Sequence, residues 1–143
     1  MRQFTLSTTR REEFLDITAE VAQAVRESGL SDGAALVYSP HTTAGITINE
    51  GADPDVRRDM LTHLAHLVPN RADFRHAEGN SDAHIKTSLM GPMQLVPVSG
   101  GRLTLGTWQK IYFCEFDGPR RRNVLVQFLP AACGPENGPG EGA

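Results

Sequence analysis

Residues 93–130, MQLVPVSGGRLTLGTWQKIYFCEFDGPRRRNVLVQFLP, decide the fold because turn signals interrupt a series of apolar segments. The first signal is SGG at 99–101 and the second is DGP at 117–119, and both are rich in the residues that tight turns favour. We predict a hairpin at the first signal and two long strands around the second. Antiparallel pairing should therefore dominate the second half of the chain.

The first half of the chain carries three strand patterns, RQFTLST at 2–8, AALVYS at 34–39 and GITIN at 45–49. The first and third alternate apolar and polar residues, whereas the second is a continuous apolar run. The intervening PHTTA, at 40–44, is either a connection or a strand edge. His41 is therefore expected near a strand end.

Three segments have the spacing of apolar residues that is typical of helices: LDITAEVAQAVRESGL at 15–30, DPDVRRDMLTHLAHLV at 53–68 and SDAHIKTSLMG at 81–91. Gly29 is a stop signal for the first helix. Asp53 at the N-cap and Pro54 at N1 are start signals for the second. Asn80 or Ser81 is expected to cap the third. Residues 68–80 are polar and turn-rich, so they predict a long loop of functional interest.

This order of elements predicts an α+β fold, with mixed, mainly antiparallel β-sheets in a sandwich-like body and about three helices. Residues 1–130 are long enough for a single domain that buries a core. The tail at 131–143, AACGPENGPGEGA, is rich in glycine, proline and glutamate and is expected to be disordered.

The chain has 143 residues, a formal net charge of −3 and a sequence pI near 5.9. This balance argues against nucleic acid or an anionic membrane as a partner, because both need a broad basic surface. Two cysteines do not form a disulfide framework, and no signal peptide or long apolar stretch opens the chain. We therefore expect a cytoplasmic protein.

The five histidines fall into two groups. His63 and His66 lie on the second predicted helix, where we interpret them as partly exposed. His41, His76 and His84 come from separate elements and could supply three ligands to a zinc-like ion, leaving one position open for water or substrate. The alternative is that these three histidines only form hydrogen bonds and fill space.

Acidic and amide side chains add candidate partners for such a site. Asn49 and Glu50 end the strand that His41 precedes, and Glu78 stands between His76 and His84. A carboxylate there could orient a ligand or act as a general base. Turn or capping roles are the alternative.

Three consecutive arginines at 120–122 follow the second turn signal. Alternation along a strand sends Arg120 and Arg122 to one face and the residue between them to the other. Guanidinium groups suit phosphate, but charge on an edge strand is an equally good explanation. In the nearby GTWQK, Trp108 could be a core residue or a subunit contact, and Gln109 a polar group on the opposite strand face.

Four stretches, HTTAGITINEGADPDVRRDM, HAEGNSDAHIKTSLMG, GRLTLGTWQKI and EFDGPRRRNV, resemble the YjbQ family from about residue 3 to residue 129. That family is often described as secondary thiamine-phosphate synthase. The resemblance implies a homotrimer with sites near subunit boundaries. It also implies that His41, His76 and His84 gather in one pocket.

The activity implied by the resemblance joins a hydroxymethylpyrimidine diphosphate to a thiazole phosphate and releases pyrophosphate. Combined with the residues above, it gives three sets of expected site residues. The expected metal ligands are His41, His76 and His84. The expected catalytic residues are His41, Glu50 and His84. The expected substrate-binding residues are Thr43, Asn49, Lys86, Gln109, Arg120 and Arg122.

A mostly imidazole pocket suits a zinc-like divalent metal better than magnesium, which prefers oxygen ligands. Two alternatives to the transferase remain open. One is a metal-dependent hydrolase of a phosphorylated small molecule, and the other is a non-catalytic trimer that binds a phosphorylated metabolite.

Overall fold

A computed structural model of the chain describes residues 1–132. The tail expected to be disordered lies almost wholly outside the described residues. The strands are β1 (Arg2–Ser7), β2 (Glu13–Asp16), β3 (Gly33–Tyr38), β4 (Ala44–Glu50), β5 (Met93–Ser99), β6 (Arg102–Leu103), β7 (Gln109–Glu115) and β8 (Arg121–Pro130). The helices are α1 (Thr18–Ser28), α2 (Pro54–Leu67) and α3 (Ser81–Met90).

The strands form two antiparallel sheets. The larger sheet has the order β1-β8-β3-β5-β6, and the smaller has the order β2-β7-β4. The predicted hairpin at 99–101 joins β5 and β6. The α+β class, the three helices and the antiparallel pairing are therefore confirmed.

The main core lies between the two sheets and is closed by α1. It is made mainly of aliphatic side chains, among them Val21 and Val25 of α1, Val37 of β3 and Ile46 of β4, together with Phe113 of β7, and all of these are buried. The other face of the smaller sheet packs against α2 and α3 around a second cluster that includes Phe14, Tyr112 and Phe116. The layers are therefore helices, smaller sheet and larger sheet.

The first predicted helix starts later than expected. Leu15 and Asp16 belong to β2, which pairs with β7, and α1 begins only at Thr18. Asp16 accepts a hydrogen bond from the Thr18 backbone N–H at 2.9 Å, so its carboxylate ends the strand and serves the helix start. Strand pairing with a distant segment overrode the local helical pattern. Gly29 ends α1 in the left-handed conformation, with φ 73°, as predicted.

The turn at 117–119 does not form a hairpin. β7 lies in the smaller sheet and β8 lies between β1 and β3 in the larger sheet, so this turn carries the chain from one sheet to the other. β8 is a central strand, but at Arg121 and Arg122 only β1 is paired with it, because β3 pairs with β8 from Leu125 onward.

The end of α3 contacts β4 closely. A Cβ at Gly45 would lie 2.7 Å from the Gly91 carbonyl oxygen, and the Ile46 N–H donates to that same oxygen at 3.0 Å. The absence of a side chain at Gly45 thus allows the end of α3 to approach the smaller sheet closely enough for this hydrogen bond. Within residues 1–132, none of the helices has the length and apolar character that crossing a bilayer requires.

Candidate functional site

The structure brings two of the predicted ligands together. The imidazole rings of His76 and His84 have centroids 5.4 Å apart and planes at 80°. His84 lies on the first turns of α3, and His76 lies in the loop before it. A turn closed by the Gly79 N–H and the His76 carbonyl, 3.1 Å apart, reverses the loop so that His76 reaches the helix start.

The histidine pair borders an open groove of about 500 Å³. Its other lining residues are Phe74, Ser81 and Ile85. The His76 side chain is 44 % exposed, and the nearest oxygen of Glu78 lies 3.9 Å from its Nε2. The two imidazoles therefore line a partly apolar groove that is open to solvent.

His41 occupies a different place and has a defined structural contact. β3 ends opposite Leu125 of β8, which leaves the N–H of Asn123 beyond the paired region. This N–H donates to His41 Nε2 at 2.9 Å. The imidazole therefore substitutes for a strand carbonyl at the point where the chain turns away from the sheet.

The surroundings of His41 favour its neutral form. Burial, followed by the positive charge of Arg122, lowers the pKa of His41 below its usual value. Because Nε2 accepts a proton from the amide, the neutral ring carries its own proton on Nδ1. If Nδ1 bound a metal, Nε2 would carry the ring proton. Two N–H groups, those of Nε2 and of Asn123, would then face each other in place of the hydrogen bond. In this arrangement His41 does not fit the role of a metal ligand.

The predicted trio of histidines is not assembled within one chain. Among residues 1–132, no three histidine, cysteine, aspartate or glutamate side chains lie close enough to hold a metal ion. His76 and His84 supply two nitrogens, and His41 is held elsewhere by β8. A three-histidine site stays a prediction that would require a second copy of the chain and a different His41 contact.

Arg122 and Thr43, both expected to bind substrate, are buried structural residues. Arg122 donates to both carboxylate oxygens of Glu115, at 2.8 and 2.5 Å, and to Thr43 Oγ1 at 2.8 Å. Thr8 also donates to Glu115, at 2.9 Å. The charge of Arg122 is therefore neutralised inside the protein.

Lys86 is also committed to an internal network. Its side chain is 2 % exposed and contacts the carboxylates of Glu12 and Asp82. Arg11 donates two hydrogen bonds to Asp82, both 3.0 Å. Burial on its own would raise the pKa of Asp82, but the hydrogen bonds and charges of Arg11 and Lys86 lower it overall. These four charges balance, so Lys86 is not free to hold an anion here.

Arg120 is the more exposed of the two arginines expected to bind substrate. It donates to the backbone carbonyl and the carboxylate of Asp117, both at 2.8 Å, while 52 % of its side chain stays exposed. Asp117 also accepts from Asn80 at 2.8 Å, so the Asn80 side chain does not cap α3. Arg120 is thus the predicted cation with the most contact with solvent.

Asn49, Glu50 and Gln109 lie at the opposite end of β4 from His41. Glu50 pairs with Gln109 in the ladder, and seven extended residues place this end roughly 20 Å from Ala44. Asn49 accepts from the Glu50 N–H at 2.7 Å, and Gln109 accepts from the Gly106 N–H at 2.8 Å. Asn49 and Gln109 thus have turn roles, and one chain does not bring Glu50 to His41.

The remaining residues considered in the sequence, His63, His66 and Trp108, lie outside the groove. Some residues that do line the groove have no sequence pattern that would have marked them. His63 and His66 are exposed on α2, as predicted, and Trp108 is 63 % exposed, so it is not a core residue. Sequence reasoning missed Phe74 and Ile85 as groove residues, for which no sequence signal exists. It also missed the buried Glu115, although a carboxylate inside the apolar run IYFCEF was a signal that a buried cation must face it.

Taken together, the fold and the groove define a small α+β sandwich protein with a pair of imidazoles, one exposed and one partly buried, beside a helix start. The family model described as UPF0047 protein YjbQ-like matches residues 2–131. The chain therefore belongs to the YjbQ, or UPF0047, family.

Relatives of known sequence and structure agree with this assignment. The UPF0047 protein MJ1081 of Methanocaldococcus jannaschii is 52% identical over 89% of this chain and 92% of its own length. The UPF0047 protein YugU of Bacillus subtilis is also 52% identical, over 90% of this chain and 98% of its own.

A crystal structure of an uncharacterised YjbQ/UPF0047 family protein from Clostridium acetobutylicum is 56% identical and superposes with a TM-score of 0.88. It covers 90% of this chain and 100% of that one. A YbjQ-like protein of unknown function from Sulfolobus solfataricus is 34% identical and superposes with a TM-score of 0.87. The match covers 91% of this chain and 96% of that one. The fold is therefore shared across bacterial and archaeal relatives.

Proposed function

We propose that the protein is a metal-dependent enzyme that acts on a phosphorylated small molecule, with His76 and His84 holding a divalent metal. The observation that carries this proposal is the pair itself: two imidazoles from different elements, 5.4 Å apart, at the edge of an open groove. Histidine pairs buried for packing would not leave a ring 44 % exposed beside such a space.

The donor set fits a zinc-like metal better than magnesium. Imidazole nitrogens are ligands that zinc accepts, whereas magnesium prefers carboxylate, phosphate and water oxygens. A catalytic zinc site commonly has three protein ligands and one open position. Two ligands from one chain leave room for a third from a second copy and for an oxygen of the substrate.

The internal pairing of the predicted cations supports a role for a metal. Any substrate with phosphate groups needs positive charge where negative charge develops. Arg122 and Lys86 are neutralised by buried carboxylates, and Arg120 is paired with Asp117. A bound metal would supply electrophilic charge to a phosphate oxygen at this groove.

The chain's own residues would then bind and orient the substrate. Phe74 and Ile85 offer apolar contacts to a heterocyclic ring, and Ser81 offers a hydroxyl at the groove edge. The reaction that the family resemblance implies is a transferase reaction of the thiamine-phosphate synthase kind. The homotrimer implied by the same resemblance is part of the proposal, since a neighbouring copy could supply the groups that one chain keeps apart.

The test begins with metal content and affinity. We expect the purified protein to bind Zn²⁺ in a calorimetric titration and His84→Ala to lose at least about tenfold in affinity. His63→Ala is the matched control because it removes an exposed helix histidine outside the groove. Equal affinities in the two variants would refute the assignment of the metal to this pair.

Activity then separates the three functions. Wild-type protein is incubated with hydroxymethylpyrimidine diphosphate and thiazole phosphate, and pyrophosphate release is measured with and without a chelator. Chelator-sensitive release that requires the thiazole phosphate and is lost in His84→Ala supports the transferase. Turnover of phosphate esters instead would identify a hydrolase, and binding without turnover of either kind would identify a non-catalytic protein.

A further inference from the structure

The larger sheet ends in an edge strand, β1, whose free side has no partner within residues 1–132. The sheet order places β1 beside β8 only. Among the described residues, the backbone of residues 2–7 forms no hydrogen bond outside its ladder with β8. Unpaired N–H and C=O groups therefore face outward along β1, and such a row is a template for a further strand.

The other three edge strands are short or have contacts on their free side. β6 has only two residues. On β2, Arg57 donates to the Phe14 carbonyl at 3.2 Å. On β4, the Ile46 N–H donates to the Gly91 carbonyl at 3.0 Å, and the Ile46 carbonyl accepts from Gln94 at 3.2 Å. In the part of the chain that the structure describes, β1 is thus the edge strand that is open for pairing.

A groove runs along this free side of β1. One part, of about 410 Å³, lies between β1 and α1, and a second part, of about 190 Å³, lies between β1 and the end of β2. Phe4 and Glu20 line both parts, so the two parts are continuous. We call this space, bounded by residues 2–6 on one side and residues 15–27 on the other, the β1 groove.

The side of the β1 groove that faces the core is apolar. Phe4 and Leu6 pack against the core but are only partly buried, and Leu15 and Ile17 lie beside them. Ala24 of α1 lines the other part. An added strand would continue the alternation of the sheet, so every second side chain of that strand would enter the groove. The surroundings favour apolar side chains at these positions.

The charged residues of the groove are mainly acidic. Asp16, Glu20 and Glu27 line it, and Arg2 is the one cation among its lining residues. Arg2 lies 3.9 Å from Glu27, so these two charges offset each other. No salt bridge within residues 1–132 involves Asp16 or Glu20. The two remaining carboxylates attract lysine or arginine and repel an acidic segment.

We infer that the β1 groove binds an extended segment of another protein, which adds a strand to β1. The segment places apolar and basic side chains at the positions that enter the groove. A lysine or arginine can lay its apolar stem along Phe4 and Leu6 and extend its charge to Glu20 or Asp16. In binding of this kind the main chain supplies affinity and the alternate side chains supply specificity.

Two other occupants are less compatible with the charges. Edge-to-edge pairing of β1 with the β1 of a second copy would place two acidic grooves side by side, where like charges repel. The chain's own residues 133–143, CGPENGPGEGA, contain two glutamates and no lysine or arginine. They also contain two prolines, which cannot donate to a ladder. A basic segment of an unlike protein is therefore the occupant that the charges favour.

The test measures binding of a fluorescent peptide of the length of β1 by anisotropy. The peptide has threonine at every second position and valine and lysine in turn at the others, and a second peptide has glutamate in place of lysine. We expect the lysine peptide to bind wild type with a dissociation constant of about 100 μM or lower, and the glutamate peptide at least about tenfold more weakly. Absence of saturable binding, or equal binding of both peptides, would overturn the inference.

A pair of matched variants locates the charge contact. Glu20→Lys should weaken binding of the lysine peptide at least about fivefold. Asp59→Lys makes the same change of charge at an exposed position of α2, outside the groove, and should bind like wild type. Circular dichroism confirms that both variants are folded. An equal loss of affinity in the two variants would refute the role of Glu20.

Hydrogen–deuterium exchange of wild type locates the peptide without any variant, so it decides the question even if Glu20→Lys is unfolded. We expect the bound lysine peptide to slow exchange of the amides in residues 2–7 and to leave β4 unchanged. Protection of other segments with none in β1 would contradict strand addition. None of these readouts requires zinc, and the variants leave His76 and His84 intact, so failure of the metal proposal leaves this result unaffected.

Discussion

Arg122 and Glu115 form a two-pronged ion pair that joins the two sheets. Glu115 is the last residue of β7 in the smaller sheet, and Arg122 is the second residue of β8 in the larger sheet. Their side chains are 0% and 6% exposed, with nitrogen–oxygen distances of 2.5 and 2.8 Å. The chain crosses between the sheets at 117–119, so this pair fixes that crossing from inside.

Removing one member of this pair should be costly. We expect Glu115→Gln to reduce the free energy of unfolding by about 3–5 kcal/mol, because a buried guanidinium loses its counter-charge. Urea unfolding monitored by circular dichroism measures this. Asp73→Asn, in the exposed pair with Arg71, is the control and should leave the urea midpoint unchanged. A Glu115→Gln midpoint equal to that of wild type would contradict the finding.

Lys86 is expected to affect stability rather than substrate affinity. Lys86→Met should reduce the free energy of unfolding by about 3 kcal/mol, at the low end for a broken buried pair because Arg11 still neutralises Asp82. Arg58→Met, which breaks the exposed pair with Asp55, should have little effect. If Lys86→Met keeps wild-type stability and only raises a substrate KM, the substrate-binding role expected from the sequence is correct.

The lowered pKa of His41 predicts a dependence of stability on pH. The pKa of His41 is lowered in the folded protein by burial and by Arg122, so the unfolded chain binds the proton more readily. The resulting stabilisation is present above the ordinary pKa of 6.5 and is lost as the pH falls through the lower folded value.

We therefore expect the free energy of unfolding of wild type to decrease between pH 7.5 and pH 5 more steeply than that of His41→Gln. Glutamine can accept from the Asn123 N–H but does not titrate. Urea titrations at several pH values measure the slopes. His66→Gln, at an exposed helix position, should retain the wild-type slope. Parallel curves for wild type and His41→Gln would show that His41 has no part in the pH response.

Metal binding at His76 and His84 should appear as thermal stabilisation. A ligand at 100 times its dissociation constant adds about 2.7 kcal/mol to the folded state. We expect Zn²⁺ to raise the Tm of wild type and of His63→Ala, a chelator to reverse the rise, and His84→Ala to lose it. The same rise in His84→Ala would place the metal elsewhere.

Local rules identified most elements from the sequence. Asp53 and Pro54 start α2 as predicted, with the Asp53 carboxylate accepting from the Asp55 N–H at 2.9 Å, and Gly29 ends α1. These signals act within a few residues, so they can be recognised without the fold. The exception was the start of α1, where pairing of β2 with β7 decided the structure of Leu15 and Asp16.

The site was only partly accessible to the same reasoning. The sequence predicted that histidines from separate elements gather at one site. The fold brings His76 close to His84 through a turn and a helix start. It holds His41 against β8 instead, because Asn123 has an N–H that β3 leaves unpaired. Which long-range partner satisfies a polar group depends on distances that sequence spacing does not contain.

The sequence by itself determined the class of fold, the strand and helix positions to within a few residues, the turn sites and the family. Only the tertiary structure decided that Lys86 and Arg122 are neutralised inside the protein and that Glu50 lies far along β4 from His41. The physical reason is that secondary structure depends on local periodicity, whereas the partner of a buried charge depends on which strands become neighbours.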